Sequence, residues 1–342
     1  MTIKKVAVYT TGGTIASAFD PRTNTIIPVA GSGLNMQPLI REDDEILVEM
    51  HDYSNVPSPH LTPEIAFKLA GEIRTALLRD DLQGAVVVQG TDTLEEISYL
   101  VHLLVDSSKS IVFTGAMKSQ HELYADGQGN LEGAIFVAAD PGSVNRGVLV
   151  YFNQEIHAVE KVVKCHANNV SSFRSPGFGP VGMVYGEKVV YQSPQIPVQK
   201  LSVDHIDPRV VLLKATCGMD PFLMEACIDA NMSGIVIEGL GAGNLPPQMR
   251  ASVQKVIRKN IPLIMVSRCH EGMAMNLYAY EGGGAELHKM GVILGGMLNG
   301  PKARIKLMVA LGYSRDLSFI RSYFEDISQP WHSNHKKELE EK

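Results

Sequence analysis

The sequence predicts an α/β protein of two domains: a larger N-terminal domain with a mainly parallel sheet flanked by helices, and a smaller C-terminal α/β domain. Three observations predict it. The chain has 342 residues, a length that ordinarily divides into two hydrophobic cores. Short runs rich in Val and Ile recur without strict alternation, the pattern of strands covered on both faces in a parallel sheet. Segments of helical period lie between these runs, and strand–helix alternation is the signature of βαβ construction.

The expected strands of the first domain are KVAVYTTGG, GAVVVQGTD, SIVFTGAM and RGVLVYFN. Between them, Pro63–Leu77 reads as a helix because Thr62 is a good N-cap and Pro63 stands at the first helical position. Thr93–Val105 and Asn130–Ala139 carry the same period. From Lys188 to Asp207 the chain holds several prolines and no clean period, and it reads as a linker. The expected division is 1–190, a linker over 191–209, and 210–342. Beyond it, VVLLKAT, GIVIEGLG and PLIMVSR read as strands, and Pro221–Ala230, Pro247–Lys259 and Pro301–Leu311 as helices. The end, HSNHKKELEEK, is a charged tail.

Composition narrows the function. Hydrophobic residues make up 45% and charged residues 20%, the balance of a soluble globule. The formal net charge is −6, and apart from a KK pair in the tail there is no basic block, which argues against nucleic acid as a partner. The N-terminal apolar run VAVY is too short for a signal peptide, and no segment has the roughly 18 apolar residues of a membrane span. A cytoplasmic protein without membrane partners is the expectation. The four cysteines, Cys165, Cys217, Cys227 and Cys269, form no CxxC pair and are expected to be reduced and mostly buried. The histidines have no ligand spacing; His121, His157, His166 and His270 read as ordinary polar or core residues. Neither a metal nor any other cofactor is expected.

Two threonine-bearing turns stand at strand ends: Thr10-Thr11-Gly12-Gly13-Thr14-Ile15-Ala16 and Gln89-Gly90-Thr91-Asp92-Thr93-Leu94-Glu95-Glu96. Open parallel sheets bind ligands outside the carboxyl ends of their strands, so both turns can face one crevice. Glycines allow sharp turns and expose N–H groups, which favour an anion or a developing oxyanion. A threonine hydroxyl attacks a carbonyl when a base takes its proton, and Asp92 can hold an ammonium. The commoner use of Thr and Asp before a helix is N-capping. On physics alone the reading stops at an α/β enzyme with a crevice and two candidate hydroxyls. TTGGT has neither the Lys of a P-loop nor GxGxxG.

Together the turns resemble the signatures of the bacterial-type L-asparaginase family, TGGTIA at Thr11–Ala16 and HGTDTxEE at Gln89–Glu96, with Gln89 in the His place. The likeness continues through GAMKSQHELYADGQGNL, NRGVLV, GLGAGNLP and LNGPKAR. It implies hydrolysis of L-asparagine to L-aspartate and ammonia, with a minor glutaminase activity open. Thr14 is implied as the nucleophile that forms a β-aspartyl ester. Thr91, Asp92 and Lys164 are implied as a second cluster, the lysine taking up or stabilising a hydroxyl proton. Ser54 and Asn55 fall where the family holds the α-carboxylate, in place of its commoner Ser-Gln or Ser-Glu. Asp92 is implied to grip the α-ammonium, the Ala116 carbonyl to contact the leaving amide, and Asn244 and a neighbouring subunit's Glu281 to complete the site. The family also implies a homotetramer assembled from dimers and a left-handed crossover in the N-terminal sheet. Many members carry a tyrosine in the loop after the first motif. Here the loop, with its lid-like stretch Asp20–Gly33, has none, and Tyr278 or Tyr280 is the substitute nearest to hand.

Three rivals stand beside this reading. The asparaginase-like subunit of an archaeal-type tRNA amidotransferase carries an extra domain before the first motif, which here begins at Thr11. A non-catalytic amino-acid sensor on the same fold need not keep both Thr14 and Lys164. A nucleotide-binding α/β protein would take ATP or NAD and release no ammonia.

Overall fold

The computed structural model describes residues 2–13, 17–20, 25–28, 39–40, 44–120, 122–194 and 199–328. Thr14, His121 and most of the lid-like stretch lie outside them. The chain separates into two compact units, 1–200 and 201–342.

In the first unit, strand β1 (Thr2–Thr10) is followed by a hairpin of β2 (Ser17–Asp20) and β3 (Thr25–Pro28), then by β4 (Leu39–Ile40) and β5 (Asp44–Asp52). Helix α1 (Pro63–Leu77) leads to β6 (Gly84–Val88), α2 (Leu94–Leu104), β7 (Ser110–Thr114), α3 (Gly127–Ala139) and β8 (Val148–Phe152). The remaining strands are β9 (Glu155–Ala158), β10 (Val163–Lys164), β11 (Phe173–Arg174), β12 (Gly182–Tyr185) and β13 (Lys188–Tyr191). Nine of these form one sheet in the order β13-β12-β9-β8-β7-β6-β1-β5-β4. Its centre, from β5 to β8, is parallel, and the outer pairs are antiparallel. Among the described residues, β10 and β11 pair with each other as a separate two-stranded sheet.

Helix α1 forms where its cap chemistry says it should. The Thr62 hydroxyl accepts the Ile65 N–H and Pro63 opens the first turn. Ala66, Leu69, Ala70, Ile73 and Leu77 then place one apolar face inward at helical spacing. The central strands are buried along their length because both faces are covered. Helix α3 packs with Val6, Val8, Val86, Val88 and Val112. The alternate residues Ala7, Ala85, Val87, Ile111 and Phe113 are just as buried, beneath α1 and α2 on the other face.

The second unit has a four-stranded parallel sheet, β14 (Val210–Lys214), β15 (Gly234–Gly239), β16 (Leu263–Ser267) and β17 (Ile293–Leu294), in sequence order. Its helices are α4 (Phe222–Asp229), α5 (Arg250–Arg258), α6 (Gly284–Met290), α7 (Gly300–Tyr313) and α8 (Leu317–Ser328). Asn299 caps α7, its side chain accepting the Lys302 N–H ahead of Pro301. Among the described residues no helix is long and apolar enough to cross a membrane.

Some expectations need correction. Lys188–Tyr191 is not irregular linker but strand, because its backbone pairs antiparallel with β12. Helix α3 starts three residues before Asn130, its first turn built from Gly127 and Gly129 despite their low propensity. Pro247–Met249 is a separate 3-10 turn leading into α5. The cysteines are mostly not buried: Cys165, Cys217 and Cys269 are exposed and Cys227 is half-buried. Cys165 and Cys269 follow strand ends, and Cys217 lies in a turn just beyond one, so local position overrides the usual preference of a thiol for the interior.

Candidate active site

The first turn leaves the carboxyl end of β1. Thr11 is fully buried; its N–H donates to the Val88 carbonyl at 3.0 Å and its hydroxyl to the same oxygen at 3.2 Å. Gly12 and Gly13 follow at φ +103° and +95°, a region that side chains rarely adopt. Their lack of a Cβ is used directly. A Cβ on Gly12 would come 2.6 Å from the Val56 backbone, and one on Gly13 would come 2.5 Å from the Cα and N of Gly90. The two glycine turns therefore touch backbone to backbone.

The segment after β5 is laid against the same turn. Tyr53 and Ser54 donate backbone N–H groups to Thr10 O, and Val56 donates to Thr11 O. The Ser54 hydroxyl donates to the Thr11 carbonyl at 3.1 Å. Ser54 is half-buried and Asn55 exposed, so the predicted carboxylate-binding pair lies beside the first turn.

The second turn is braced from below by Ser58. Its hydroxyl accepts the Asp92 N–H at 3.2 Å, and its carbonyl accepts the Thr93 hydroxyl at 2.9 Å. Gln89, in the expected His place, is fully buried and donates through Nε2 to the Thr93 hydroxyl at 3.2 Å. Above this brace, Thr91 and Asp92 meet Lys164. The Lys164 ammonium donates to Thr91 Oγ1 at 2.8 Å and to Asp92 Oδ1 at 2.6 Å. The Lys164 side chain is 15% exposed and that of Asp92 63%. The lysine is thus sheltered on the protein side of its carboxylate, not solvated as most lysines are.

Ala116 is buried in the loop after β7. That loop is pinned by Asp126, whose carboxylate accepts the N–H groups of Met117 and Lys118. Buried Asn130 donates to Gly115 O and Asp126 Oδ2 and accepts the Asn153 N–H, each at 3.0 Å. Hydrogen bonds from Ser119 hold the Glu122 carboxyl below the usual range in the same loop.

The structure therefore brings together Thr91, Asp92 and Lys164, with Ser54, Asn55 and Ala116 on segments that border the same turns. Asn244 and Glu281 belong to the second unit. Asn244 accepts the Gly284 N–H and donates to Leu240 O, closing a local bridge. Glu281 is exposed. Sequence reasoning missed Ser58, Asp126 and Asn130. The pattern of a small hydroxyl residue between two prolines at 57–59 was the available signal for the first.

A hydroxyl and a carboxylate on a glycine-bearing turn at the carboxyl end of a parallel strand, met by an ammonium from a separate short strand, are the means of moving protons at an acyl carbon. The class is an α/β amidohydrolase. The family model "Asparaginase, N-terminal" matches residues 5–197 and "Glutaminase/Asparaginase C-terminal domain" matches 209–324. The chain belongs to the asparaginase family. It is 32% identical to an L-asparaginase of Bacillus licheniformis over 90% of this chain and 95% of that one. It is also 32% identical to a probable periplasmic L-asparaginase of Haemophilus influenzae, over 95% and 93%. Among solved structures, a probable cytoplasmic L-asparaginase from Campylobacter jejuni superposes with a TM-score of 0.78 at 28% identity, covering 94% of this chain and 99% of that one.

Proposed function

We propose that the chain hydrolyses L-asparagine to L-aspartate and ammonia through a threonine nucleophile. The observation that carries the reading is the contact of the Lys164 ammonium with both Thr91 Oγ1 and Asp92 Oδ1. In this reading Thr14 attacks the side-chain amide carbon, its proton leaves with the amide nitrogen as ammonia, and a β-aspartyl ester forms. Water then attacks the ester carbon and the Thr14 oxygen recovers a proton. Thr91 and Lys164 pass the proton in one step and return it in the other. Support for Thr14 comes from Gly13, its covalent neighbour, whose backbone lies against Gly90 of the second turn.

Asp92 takes the substrate α-ammonium, Ser54 and Asn55 the α-carboxylate, and the Ala116 carbonyl the leaving amide. Asn244, with Glu281 from a neighbouring copy in a homotetramer or homodimer, completes the pocket. No cofactor enters the scheme. Glutamine is one methylene longer, a difference worth about 1–3 kcal/mol in a close-fitting pocket, so slow glutamine turnover accompanies the main activity. A cytoplasmic location fits the Campylobacter relative, while the Haemophilus one is described as periplasmic.

Purified protein is incubated with L-asparagine and ammonia is measured. Ammonia release that disappears in Thr14→Ala and in Lys164→Met, with both variants folded, is the expected result. Binding of asparagine without ammonia would leave the sensor reading in its place.

A further inference from the structure

The lysine of the site has an unusual mounting. It lies on β10, a strand of two residues that pairs with β11 in a two-stranded sheet separate from the nine-stranded one. In that ladder Lys164 stands opposite Phe173, and the Cys165 N–H donates to Ser172 O at 2.7 Å. Successive N–H groups of a strand point to opposite sides, so the Lys164 N–H turns away from β11. It is taken by Glu95, whose Oε2 accepts it at 3.0 Å.

Glu95 stands in the first turn of α2, four residues after Thr91 and three after Asp92. One rigid segment therefore grips Lys164 twice. Thr91 and Asp92 receive its ammonium, and Glu95 receives its backbone. A second tie lies at the other end of α2, where His102 Nδ1 accepts the Val148 N–H and Nε2 lies 2.9 Å from Glu160 Oε1, four residues before the lysine.

We propose that Glu95 is a positioning residue for Lys164: by accepting the Lys164 N–H it sets the distance of the ammonium from the Thr91 hydroxyl. Glu95 reaches the chemistry through the lysine backbone. The proposal rests on the reading of Lys164 as the proton-handling partner of Thr91. Without the Glu95 acceptor the Lys164 backbone loses its tie to α2, and at that end only the ammonium's own bonds to Thr91 and Asp92 remain. A displacement of about 1 Å at a reacting group can lower a rate about 100-fold. The loss is expected mainly in kcat, because the groups proposed to hold the substrate keep supports of their own: Ser54 on the first turn and Asp92 through its N–H to the Ser58 hydroxyl.

The test compares Glu95→Ala, Glu95→Gln, Glu95→Asp and Lys164→Met by steady-state kinetics on L-asparagine, with a thermal melt of each. Glu95→Ala is expected to lower kcat about 10- to 100-fold while KM stays within about threefold. Glu95→Gln keeps a carbonyl oxygen at the same reach and is expected to retain at least a third of kcat. Glu95→Asp withdraws the oxygen by about one C–C bond, roughly 1.5 Å, and is expected to fall between them. If Glu95→Ala does not fold, the Asp variant decides. A folded Ala or Asp variant with kcat within twofold of the parent overturns the proposal, as does a Gln variant that falls as far as Ala. A Lys164→Met variant with full rate would instead overturn the underlying reading of the site, whatever the Glu95 variants do.

Discussion

Gly13→Ala tests the backbone contact on which the two turns depend. The added methyl would lie 2.5 Å from the Cα and N of Gly90, whereas ordinary contact begins at 3.4 Å. The obstruction is backbone on both sides, so no flexible side-chain end can yield. The turns must separate by about 0.9 Å, or Gly13 must leave its φ of +95°. Strain at such a φ costs about 1–3 kcal/mol, and each kcal/mol lowers Tm by about 2–4 °C in a domain of this size. A separation close to 1 Å between groups that must meet on one substrate lowers the rate about 100-fold. The assay is ammonia release at saturating L-asparagine, on protein shown by a thermal melt to remain folded at the assay temperature. A folded Gly13→Ala variant with kcat within twofold of the parent would refute the idea that contact of the two glycines aligns the site.

Gly71→Ala is the complementary case: Gly71 lies inside α1, a Cβ there meets nothing within 4 Å, and the variant is expected to be more stable by about 0.5–1 kcal/mol in urea unfolding. Asn130→Ala is expected to cost about 2–3 kcal/mol, seen as a lower urea midpoint at unchanged slope, because it leaves the Gly115 carbonyl and the Asn153 N–H without their buried partner; a loss below about 0.5 kcal/mol would show that this asparagine does not hold the Ala116 loop. Burial pushes the His157 imidazole down to about 4, so the folded protein binds fewer protons than the unfolded chain between pH 6.5 and 4. Stability from this group is complete above pH 6.5 and is lost as pH falls through about 4, roughly 3 kcal/mol in all. His157→Gln is expected to flatten the dependence of urea stability on pH in that window, and an unchanged slope would count against it.

How far the fold could be read in advance depended on whether the signal was local. Helix α1 was legible to the residue because Thr62 and Pro63 state its start chemically. The β1, β6, β7 and β8 runs were legible because burial on both faces leaves an unbroken apolar string. Strand β5, DEILVEMHD, was not, since its acidic residues resemble a loop and it gains strand character by pairing with β1 over nine residues. Strands β9, β12 and β13 were missed because each is only four residues long, too short for a pattern of its own. Between β8 and β9, Asn153 and Gln154, at φ +48° and +69°, make a tight turn that the flanking pattern did not announce.

At the site, the glycines of both turns were visible as letters. Their contact was not, because it follows from β1 lying next to β6 in space although β5 comes between them in sequence. Lys164 was found only by its place along a motif; nothing in its immediate neighbours separates it from a surface lysine. Glu95 stood in the motif with no role, since the N–H it receives comes from 69 residues further along the chain.

The meeting of Lys164 with Thr91 spans 73 residues of chain, and this has a consequence for how the protein comes to life. A growing polypeptide carries both hydroxyl turns long before it carries the lysine. Everything from α2 through β9 must be synthesised before the ammonium arrives. Long-range closures of this kind come late, because the entropy of a wide loop has to be offset by contacts already made. Ammonia release during refolding should therefore lag behind the recovery of helical signal.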